Sequence, residues 1–510
     1  MTVLSTWRSA LGGASDDPYS YAALGYLSLL LGVATVGYFA LWRGTSQFSN
    51  VPLPPGPAPG WKHTSPMFRS FDYLIQTYGP VVTLKRGNNV QIVIGSYQAA
   101  LDIMQKHGSD LADRPPAVSA NDILSGGKRT LLLRAGKRMT SYRKALHSSL
   151  QPLSAAQYEP LQFKNAKNYV LDILRDPDNH LAHARKYAAG LILTLTYGKM
   201  TATSYDDSDV VNINRGIGRL MSVMKGFPWP VDRYPLLRFL PLPHVRMLRK
   251  YHEDEVGLFM GQVETVRKGL INHTVAPNFT EYLLEHQKEL ELDDEELAYL
   301  AGSMYGAGSD TTGSGLGIVT MAAACHPDEQ AKVQAEIDAV VGHDRVPNFE
   351  DLKSLPLTAA FATEAHRWRP ILPMGINHRS MKDIAWNGYV IPAGATVSGI
   401  AWSIMRDPDV FPDPEEFRPS RWLASNGALR DDLRHFDFGF GRRVCPGIHV
   451  AERSLTMTTA QLLWACSISQ DAKNPIDTSG FTDVPITHPL PFKVQFTPRI
   501  DNVHHIIESD

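Results

Sequence analysis

The stretch FGFGRRVCPG, residues 438–447, holds one of only three cysteines in this 510-residue chain. Two glycines and two arginines precede Cys445, and a proline and another glycine follow it. Free cysteines are mostly small buried hydrophobes, and glycines are common in tight turns of every kind. The stretch alone therefore does not show whether Cys445 is a buried core residue or a metal ligand. The other motifs of the chain are needed to distinguish the two.

The composition excludes several classes of protein. A hydrophobic content of 43% and a charged content of 20% are ordinary for a globular protein. The net charge of −2 gives no basic footprint for nucleic acid. Three cysteines (Cys325, Cys445 and Cys466) are too few for a disulfide framework. The main body is therefore expected in a reducing compartment.

The N-terminal residues 1–43 are predicted to anchor the chain in a membrane. Residues 21–42, YAALGYLSLLLGVATVGYFALW, carry no charge and have aromatic residues near both ends. At about 1.5 Å per residue they are long enough for a hydrocarbon core of about 30 Å. A cleaved signal peptide is the alternative, but its apolar region should be shorter. Basic residues follow the span, which places the body in the cytosol and argues against glycosylation at Asn272 and Asn278.

The remaining chain is predicted to form one domain of residues 61–510 after a Pro-rich linker of residues 44–60. Residues 81–95 have the pattern of a hairpin that turns at Asn88-Asn89. Helical patterns dominate from about 96 to 350, and short β-like pieces return near 384–397 and 492–497. The expected fold class is mainly α with a minor β-sheet region.

The longest predicted helix covers residues 294–325, between an acidic start and Pro327. Its middle, GAGSDTTGSG, is rich in glycine, which costs about 1 kcal/mol per residue in a helix. The glycines therefore indicate a structural requirement in this part of the helix, such as the close approach of a flat group or a kink. Asp310 and Thr311 lie in this stretch. They are either a surface acid and a threonine bonded to its own helix, or groups that hand protons to a buried oxidant.

Glu364 and Arg367 stand at i and i+3, on one helical face. Such a pair is ordinarily a surface ion pair of small energetic value. The downstream segment PEEFRPSRW supplies Arg421 as a second arginine. Arg421 could complete a buried triad, which the loss of any member would disrupt strongly.

These motifs together resemble the cytochrome P-450 monooxygenases. FGFGRRVCPG is similar to the family's haem-binding signature FxxGxRxCxG, and AGSDTT at residues 307–312 resembles its oxygen-activation motif. Glu364/Arg367 matches the ExxR pair, and FRPSRW at residues 417–422 is similar to the PERF-type segment. The resemblance covers about residues 50–500. It implies the cytochrome P-450 fold, preceded here by one N-terminal transmembrane helix.

The resemblance also implies a set of residues that bind haem b. Cys445 would be the axial thiolate ligand of the iron, whose electron donation favours O–O cleavage. Phe438 would pack beside it, and a helix that begins near Gly447 would help to lower the pKa of the thiol. The haem propionates would be bound by basic side chains, since arginine suits carboxylates. These are Arg443, Arg143, His378 and Arg114. Met139 departs from the family, which has tryptophan there.

By the same resemblance, Thr311 would hydrogen-bond dioxygen and Asp310 would relay protons from solvent. Relatives that rearrange hydroperoxides without external electrons typically lack this pair. Its presence favours a monooxygenase that uses O₂ and receives electrons from NADPH. The chain leaves no room for a fused reductase, so an NADPH-cytochrome reductase is the expected partner, with a b-type cytochrome as a further candidate donor.

The substrate is expected to be a hydrophobic small molecule, a terpenoid or a polyketide or other aromatic compound of secondary metabolism. Candidate contacts, which could equally be ordinary core, are residues 118–133, Met304, Tyr305, residues 371–376 and Phe481. The apolar residues 227–243 are expected to dip into the endoplasmic reticulum membrane. Two alternatives remain: a peroxide-using or isomerising haem-thiolate enzyme, and a non-catalytic haem-binding sensor.

Overall fold

The computed structural model describes residue 32 and residues 50–509, except 88, 201, 202, 205 and 226–228. The chain divides into a short unit, Met1–Val51, and a large unit, Pro52–Asp510. The predicted membrane span at residues 21–42 lies outside the described residues except for residue 32. In the part of the chain that is described, no helix combines the length and apolar character needed to cross a bilayer.

The large unit is mainly helical, in agreement with the predicted fold class. Its helices are α1 Met67–Tyr78, α2 Tyr97–Ala99, α3 Lys137–Leu150, α4 Pro152–Gln157, α5 Glu159–Arg175, α6 His180–Tyr197, α7 Ser208–Lys225, α8 Pro230–Arg233, α9 Pro243–Ile271, α10 Phe279–Glu285, α11 Asp294–Cys325, α12 Pro327–Val340, α13 Pro356–Trp368, α14 Ala401–Ile404, α15 Ile448–Ala465 and α16 Val503–Ser509. Shorter π and 3₁₀ turns include Ala100–Gln105, Val118–Leu124, Pro235–Phe239 and Gly441–Arg443.

Within the described residues, the strands form three small sheets. They are β1 Val81–Arg86, β2 Asn89–Ile94, β3 His378–Arg379, β4 Ile384–Trp386, β5 Tyr389–Ile391, β6 Thr396–Gly399, β7 Cys466–Ser469 and β8 Gln495–Pro498. The largest sheet has the order β1-β2-β6-β3. β1 and β2 are the predicted antiparallel hairpin, but Asn89, which was predicted in the turn, pairs with Arg86 as the first residue of β2. β2 pairs with β6 in parallel. β4 pairs with β5, and β7 with β8.

The long helix α11 has the predicted bounds, and its ends explain why. The side chain of Asp293 accepts the N–H of Glu296 at 2.6 Å, and the Glu296 carboxylate accepts the N–H of Asp293 at 3.0 Å. This capping box satisfies two backbone donors that a helix start leaves free. Pro327 begins α12 directly after α11 ends. α11 is buried along most of its length and packs against α6, α9, α13 and α15.

The glycines of α11 allow α6 to approach closely. A Cβ added at Gly308 would lie 2.8 Å from the Ile192 side chain, and one at Gly313 would lie 3.2 Å from Arg185 Cα. Both partners belong to α6. The expectation of a flat ligand or a kink at these glycines is therefore replaced by tight helix–helix packing at these two positions.

Candidate active site

The loop that carries Cys445 is held in a fixed shape by its glycines and by contacts with residues 105–108. Gly441 has φ +50°, and a Cβ there would lie 2.7 Å from Gly108 Cα. Its N–H donates to Gln105 Oε1 at 3.0 Å. The N–H of Cys445 donates to the Phe438 carbonyl at 2.8 Å. A side chain at Gly441 would thus collide with a neighbouring backbone, which accounts for the glycine.

Cys445 lies just before α15, whose N-cap is Gly447. Burial raises the pKa of the Cys445 thiol, while the Gly447 N–H and the positive charge of Arg143 act in the opposite direction. The lowering effect of the helix start, which the sequence predicted, is present, but in the protein alone the effect of burial is larger. Binding to a metal cation would reverse that balance, because a coordinated thiol is deprotonated outright.

Four basic side chains surround the approach to this loop: Arg114, Arg143, His378 and Arg443. Arg443 donates from Nε to the Ala112 carbonyl at 2.6 Å and from Nη2 to the Leu133 carbonyl at 2.5 Å. Arg143 Nη2 donates to the Val444 carbonyl at 2.9 Å. These bonds fix the two guanidinium groups while other N–H groups remain for a ligand.

Arg114 and His378 are held in the same way. Arg114 Nε donates to Leu131 O at 3.1 Å, and Nη1 donates to the carbonyls of Ile376 and Asn377 at 2.9 and 2.7 Å. His378 Nδ1 lies 2.7 Å from the Leu111 carbonyl. Each of the two is almost completely buried.

The cluster holds an excess of positive charge, which suits an anionic ligand. Burial and the charges of Arg443 and Arg143 lower the pKa of Arg114 to about 9. Burial and the charge of Arg114 lower the pKa of His378 to about 3. The neighbouring Asp113 is occupied by Arg134, which donates two hydrogen bonds at 2.7 and 2.5 Å. The buried arginines, which repel each other, fit the two propionates of haem b, so this donor set fits the group.

The middle of α11 presents a partly exposed face within an otherwise buried helix. Ala307 is exposed, and Gly308, Asp310 and Thr311 are half-buried. Thr311 Oγ1 donates to the Ala307 carbonyl at 2.8 Å. The structure thus contains the ordinary threonine contact that the sequence allowed, but Thr311 keeps accessible surface and its lone pairs. Nearby, Gly315 approaches Leu455 of α15, where an added Cβ would lie at 3.1 Å.

Asp310 is not a surface acid. Its side chain is 16% exposed, and Oδ1 lies 3.2 Å from His488 Nε2. Sequence reasoning missed His488, because no motif connects it with a residue so distant along the chain.

Glu364, Arg367 and Arg421 come together in a buried network. Glu364 and Arg367 are completely buried and joined by two hydrogen bonds of 2.8 and 2.9 Å. Arg421 Nε donates to Glu364 at 3.0 Å. The Trp422 indole N–H at 2.9 Å and the Arg418 backbone N–H at 2.9 Å complete the shell around the carboxylate. The sequence pointed to the three charges but missed the roles of Trp422 and Arg418.

A second buried carboxyl group, Asp437, also escaped sequence reasoning. It precedes Phe438 directly and accepts the N–H groups of Ile371 and Leu372 at 3.4 and 3.2 Å. Burial raises its pKa to about 6. Asp437 thereby ties the Cys445 loop to the segment 371–376.

The candidate substrate residues occupy different surroundings. Tyr305 is completely buried and packs edge-on against Tyr197 of α6, so it belongs to the core. Met304 is nearly buried as well. Within residues 118–133, Val118–Leu124 forms a largely buried π-helical turn. Phe481 faces Pro489 across an isolated bridge.

Comparison with known proteins decides the family. The family model for Cytochrome P450 matches residues 54–496. The chain belongs to the cytochrome P450 family. It is 51% identical over 460 residues to cytochrome P450 monooxygenase 64 of Postia placenta, covering 89% of this chain and 93% of that relative. Cytochrome P450 monooxygenase 113 of the same fungus is 48% identical over 462 residues, covering 90% and 93% of the two chains.

A solved structure shows the same fold. A zebra fish cytochrome P450, determined with abiraterone, has a TM-score of 0.69 at 23% identity and covers 85% of this chain and 99% of its own. The present P450 is therefore a monooxygenase of this fold. Like its family, it uses haem b, O₂ and electrons from NAD(P)H through a reductase.

Proposed function

We propose that this P450 inserts one oxygen atom into a hydrophobic small molecule, a terpenoid or a polyketide or other aromatic compound of secondary metabolism. In this proposal the electrons come from NADPH through a separate reductase. The observation that carries the site assignment is the excess of positive charge in the basic cluster around the Cys445 loop. α15, which begins after this loop, packs against α11, which holds Asp310 and Thr311.

The residues divide the work. Bound haem supplies the iron chemistry that activates dioxygen. Cys445 Sγ is the proposed axial ligand, with Phe438 beside it, and Gly447 and Arg143 favour the thiolate. Arg114, Arg143, His378 and Arg443 hold the propionates. Thr311 and Asp310 place protons at the reacting dioxygen.

Thr311 can serve as a proton relay because of how its hydroxyl is held. Its own proton points to the Ala307 carbonyl, so the lone pairs of Oγ1 can accept a proton donor. Rotation about the C–O bond then turns the same hydroxyl into a donor. Asp310, the next residue, is sheltered and held by His488. The two residues therefore supply an acid and a hydroxyl, the two kinds of group that a proton relay needs.

Thr311→Ala is expected to separate electron use from product formation. Haem content and substrate binding should be retained, while NADPH is still consumed and most electrons leave as hydrogen peroxide. Positioned proton transfer typically contributes about 10²–10⁴-fold, so product formation should fall about 10²-fold. The measurement is the ratio of product to NADPH consumed. Thr312→Ala is the control, since one helical step rotates that side chain by about 100°. Full coupling in Thr311→Ala would favour a peroxide-using or isomerising enzyme.

An exposed apolar surface lies near the 3₁₀ turn Pro235–Phe239. Contact of this surface with a membrane would suit an enzyme whose substrate is hydrophobic. Leu236 is 78% exposed and Phe239 68% exposed, and Tyr234 and Leu240 are exposed as well. Exposed apolar patches of this kind mark sites of membrane or protein contact. We propose that this patch rests in the membrane of the endoplasmic reticulum, with the body in the cytosol and residues 21–42 as a single-pass anchor.

Removal of residues 1–43 is expected to weaken membrane attachment without loss of haem. Residual attachment should depend on the patch, because burial of apolar surface drives interfacial binding. Leu236→Glu with Phe239→Glu in the truncated protein should release it into the soluble fraction. Leu153→Glu is the matched control, since Leu153 of α4 is 79% exposed outside this patch. The readout is flotation with liposomes. A truncated protein that does not bind liposomes would contradict the role of the patch.

The substrate itself is accessible to product profiling. Expression beside a fungal reductase, with terpenoid and aromatic feeds, should yield products heavier by one oxygen atom only in the presence of NADPH. Turnover with hydrogen peroxide and no reductase would instead favour the self-sufficient alternative. Lack of turnover with every feed would contradict the proposed substrate class.

A further inference from the structure

His488 lies in a tightly folded segment, residues 480–490, that returns on itself. The His488 N–H donates to Thr482 Oγ1 at 2.9 Å, and the His488 carbonyl accepts the Thr482 N–H at 2.9 Å. The Leu490 N–H donates to the Gly480 carbonyl at 2.8 Å. The backbone of His488 is thus fixed on both sides before its side chain makes any contact.

This segment runs along one face of α11. Asp310, Ser314 and Gly317 are spaced by four and three residues, so they share that face. Asp310 Oδ1 lies 3.2 Å from His488 Nε2, and Ser314 Oγ donates to the Thr487 carbonyl at 2.6 Å. At Gly317 an added Cβ would lie 3.6 Å from Pro489. Three successive residues, 487–489, therefore meet three successive positions of the helix face.

We propose that His488 is a positioning residue that holds the Asp310 carboxylate in the orientation required for proton delivery. The inference rests on the proposed role of Asp310. An aspartate side chain can rotate about two bonds, and the 3.2 Å contact of Oδ1 with the His488 ring nitrogen limits this rotation while leaving Oδ2 for a donor. Among the described residues, His488 is the only basic side chain within ion-pair distance of Asp310.

Shelter from solvent makes this contact more effective than a surface ion pair. The side chains of His488 and Asp310 are only 17% and 16% exposed. Surface pairs are weakened by screening and by the freedom of long side chains, neither of which applies fully here. The contact also connects Asp310 with the segment that carries Phe481, a candidate substrate contact.

The first test compares His488→Leu with His488→Gln in the haem-loaded enzyme. His488→Leu removes the donor and should lower product per NADPH about tenfold, a smaller loss than the 10²-fold minimum expected for a positioned proton-transfer group itself. Peroxide release should rise in parallel, with an altered solvent deuterium isotope effect. His488→Gln retains an N–H donor of similar reach and should restore coupling. If His488→Leu does not retain haem, His488→Asn, whose amide is too short to reach, takes its place.

The second test separates positioning from simple support of the segment. Ser314→Ala removes the neighbouring contact to the same segment and leaves Asp310 untouched. It should lower the melting temperature while coupling is retained. The melting temperatures of His488→Leu, Asp310→Asn and the double variant should be non-additive, which is a readout independent of turnover.

The outcomes distinguish the two levels of the proposal. If Asp310→Asn remains fully coupled, the proposed role of Asp310 fails. If Asp310→Asn uncouples but His488→Leu does not, only the inference about His488 is overturned. Equal uncoupling by Ser314→Ala and His488→Leu would also overturn it, because support of the segment would then explain both.

Discussion

Replacement of Cys445 by serine is expected to remove monooxygenase activity and the long-wavelength Soret band of the reduced, CO-bound enzyme that gives the family its name. Serine keeps the size and polarity of the side chain but has no accessible anionic form near neutral pH. Activity should fall by at least about 10³-fold, since enzymes accelerate their reactions by about 10⁶-fold or more. The difference spectrum between the reduced, CO-bound enzyme and the reduced enzyme measures the loss of the Soret band, and product assays measure the loss of activity.

The other two cysteines are matched controls. Burial raises the pKa of Cys325 to about 11 and that of Cys466 to about 12. An arginine opposes burial at each of them, Arg369 at Cys325 and Arg499 at Cys466, but neither has a backbone N–H such as that of Gly447, which acts on Cys445. Cys325→Ser and Cys466→Ser should therefore leave the spectrum unchanged. A normal spectrum in Cys445→Ser would require a different axial ligand and would remove the basis of the site assignment.

The sequence predicted the elements whose boundaries are set locally. The bounds of α11 follow from the acidic capping residues and from Pro327, all of which are adjacent to the helix. The β1–β2 hairpin follows from alternating residues around a short turn. Local signals of this kind act within one turn of the element that they define, so they can be read without knowledge of the tertiary structure.

The purpose of the α11 glycines could not be derived in that way. The pattern indicated a close approach, but the partner at Gly308 and Gly313 is α6, which no sequence signal identifies. The same holds for His488, whose contact with Asp310 depends on the path of the segment 480–490. Burial of the Cys445 thiol, which raises its pKa in the protein alone, likewise depends on the complete fold and not on the helix start that the sequence identified. Tertiary contacts decide each of these features.

Glu364→Ala is expected to prevent accumulation of folded, haem-containing protein. Arg367 would remain completely buried without its partner, with its other hydrogen bonds directed only to backbone carbonyls of Met405, Pro414 and Glu416. Removal of one partner from a buried pair costs about 3–5 kcal/mol. Total stability of a domain is about 5–15 kcal/mol, so this single change consumes a large share of it. Soluble yield, haem content and the melting temperature measure the effect.

Glu350 and Lys353 offer a control with the same spacing. They form an i, i+3 ion pair in which both side chains are more than 70% exposed. Glu350→Ala should therefore change stability by less than about 1 kcal/mol. The contrast isolates burial, since charge type and spacing are shared by the two pairs. If Glu364→Ala folds, binds haem and melts like Glu350→Ala, then the network around Glu364 does not stabilise the fold, and its five hydrogen-bond donors must be satisfied by water that enters the core.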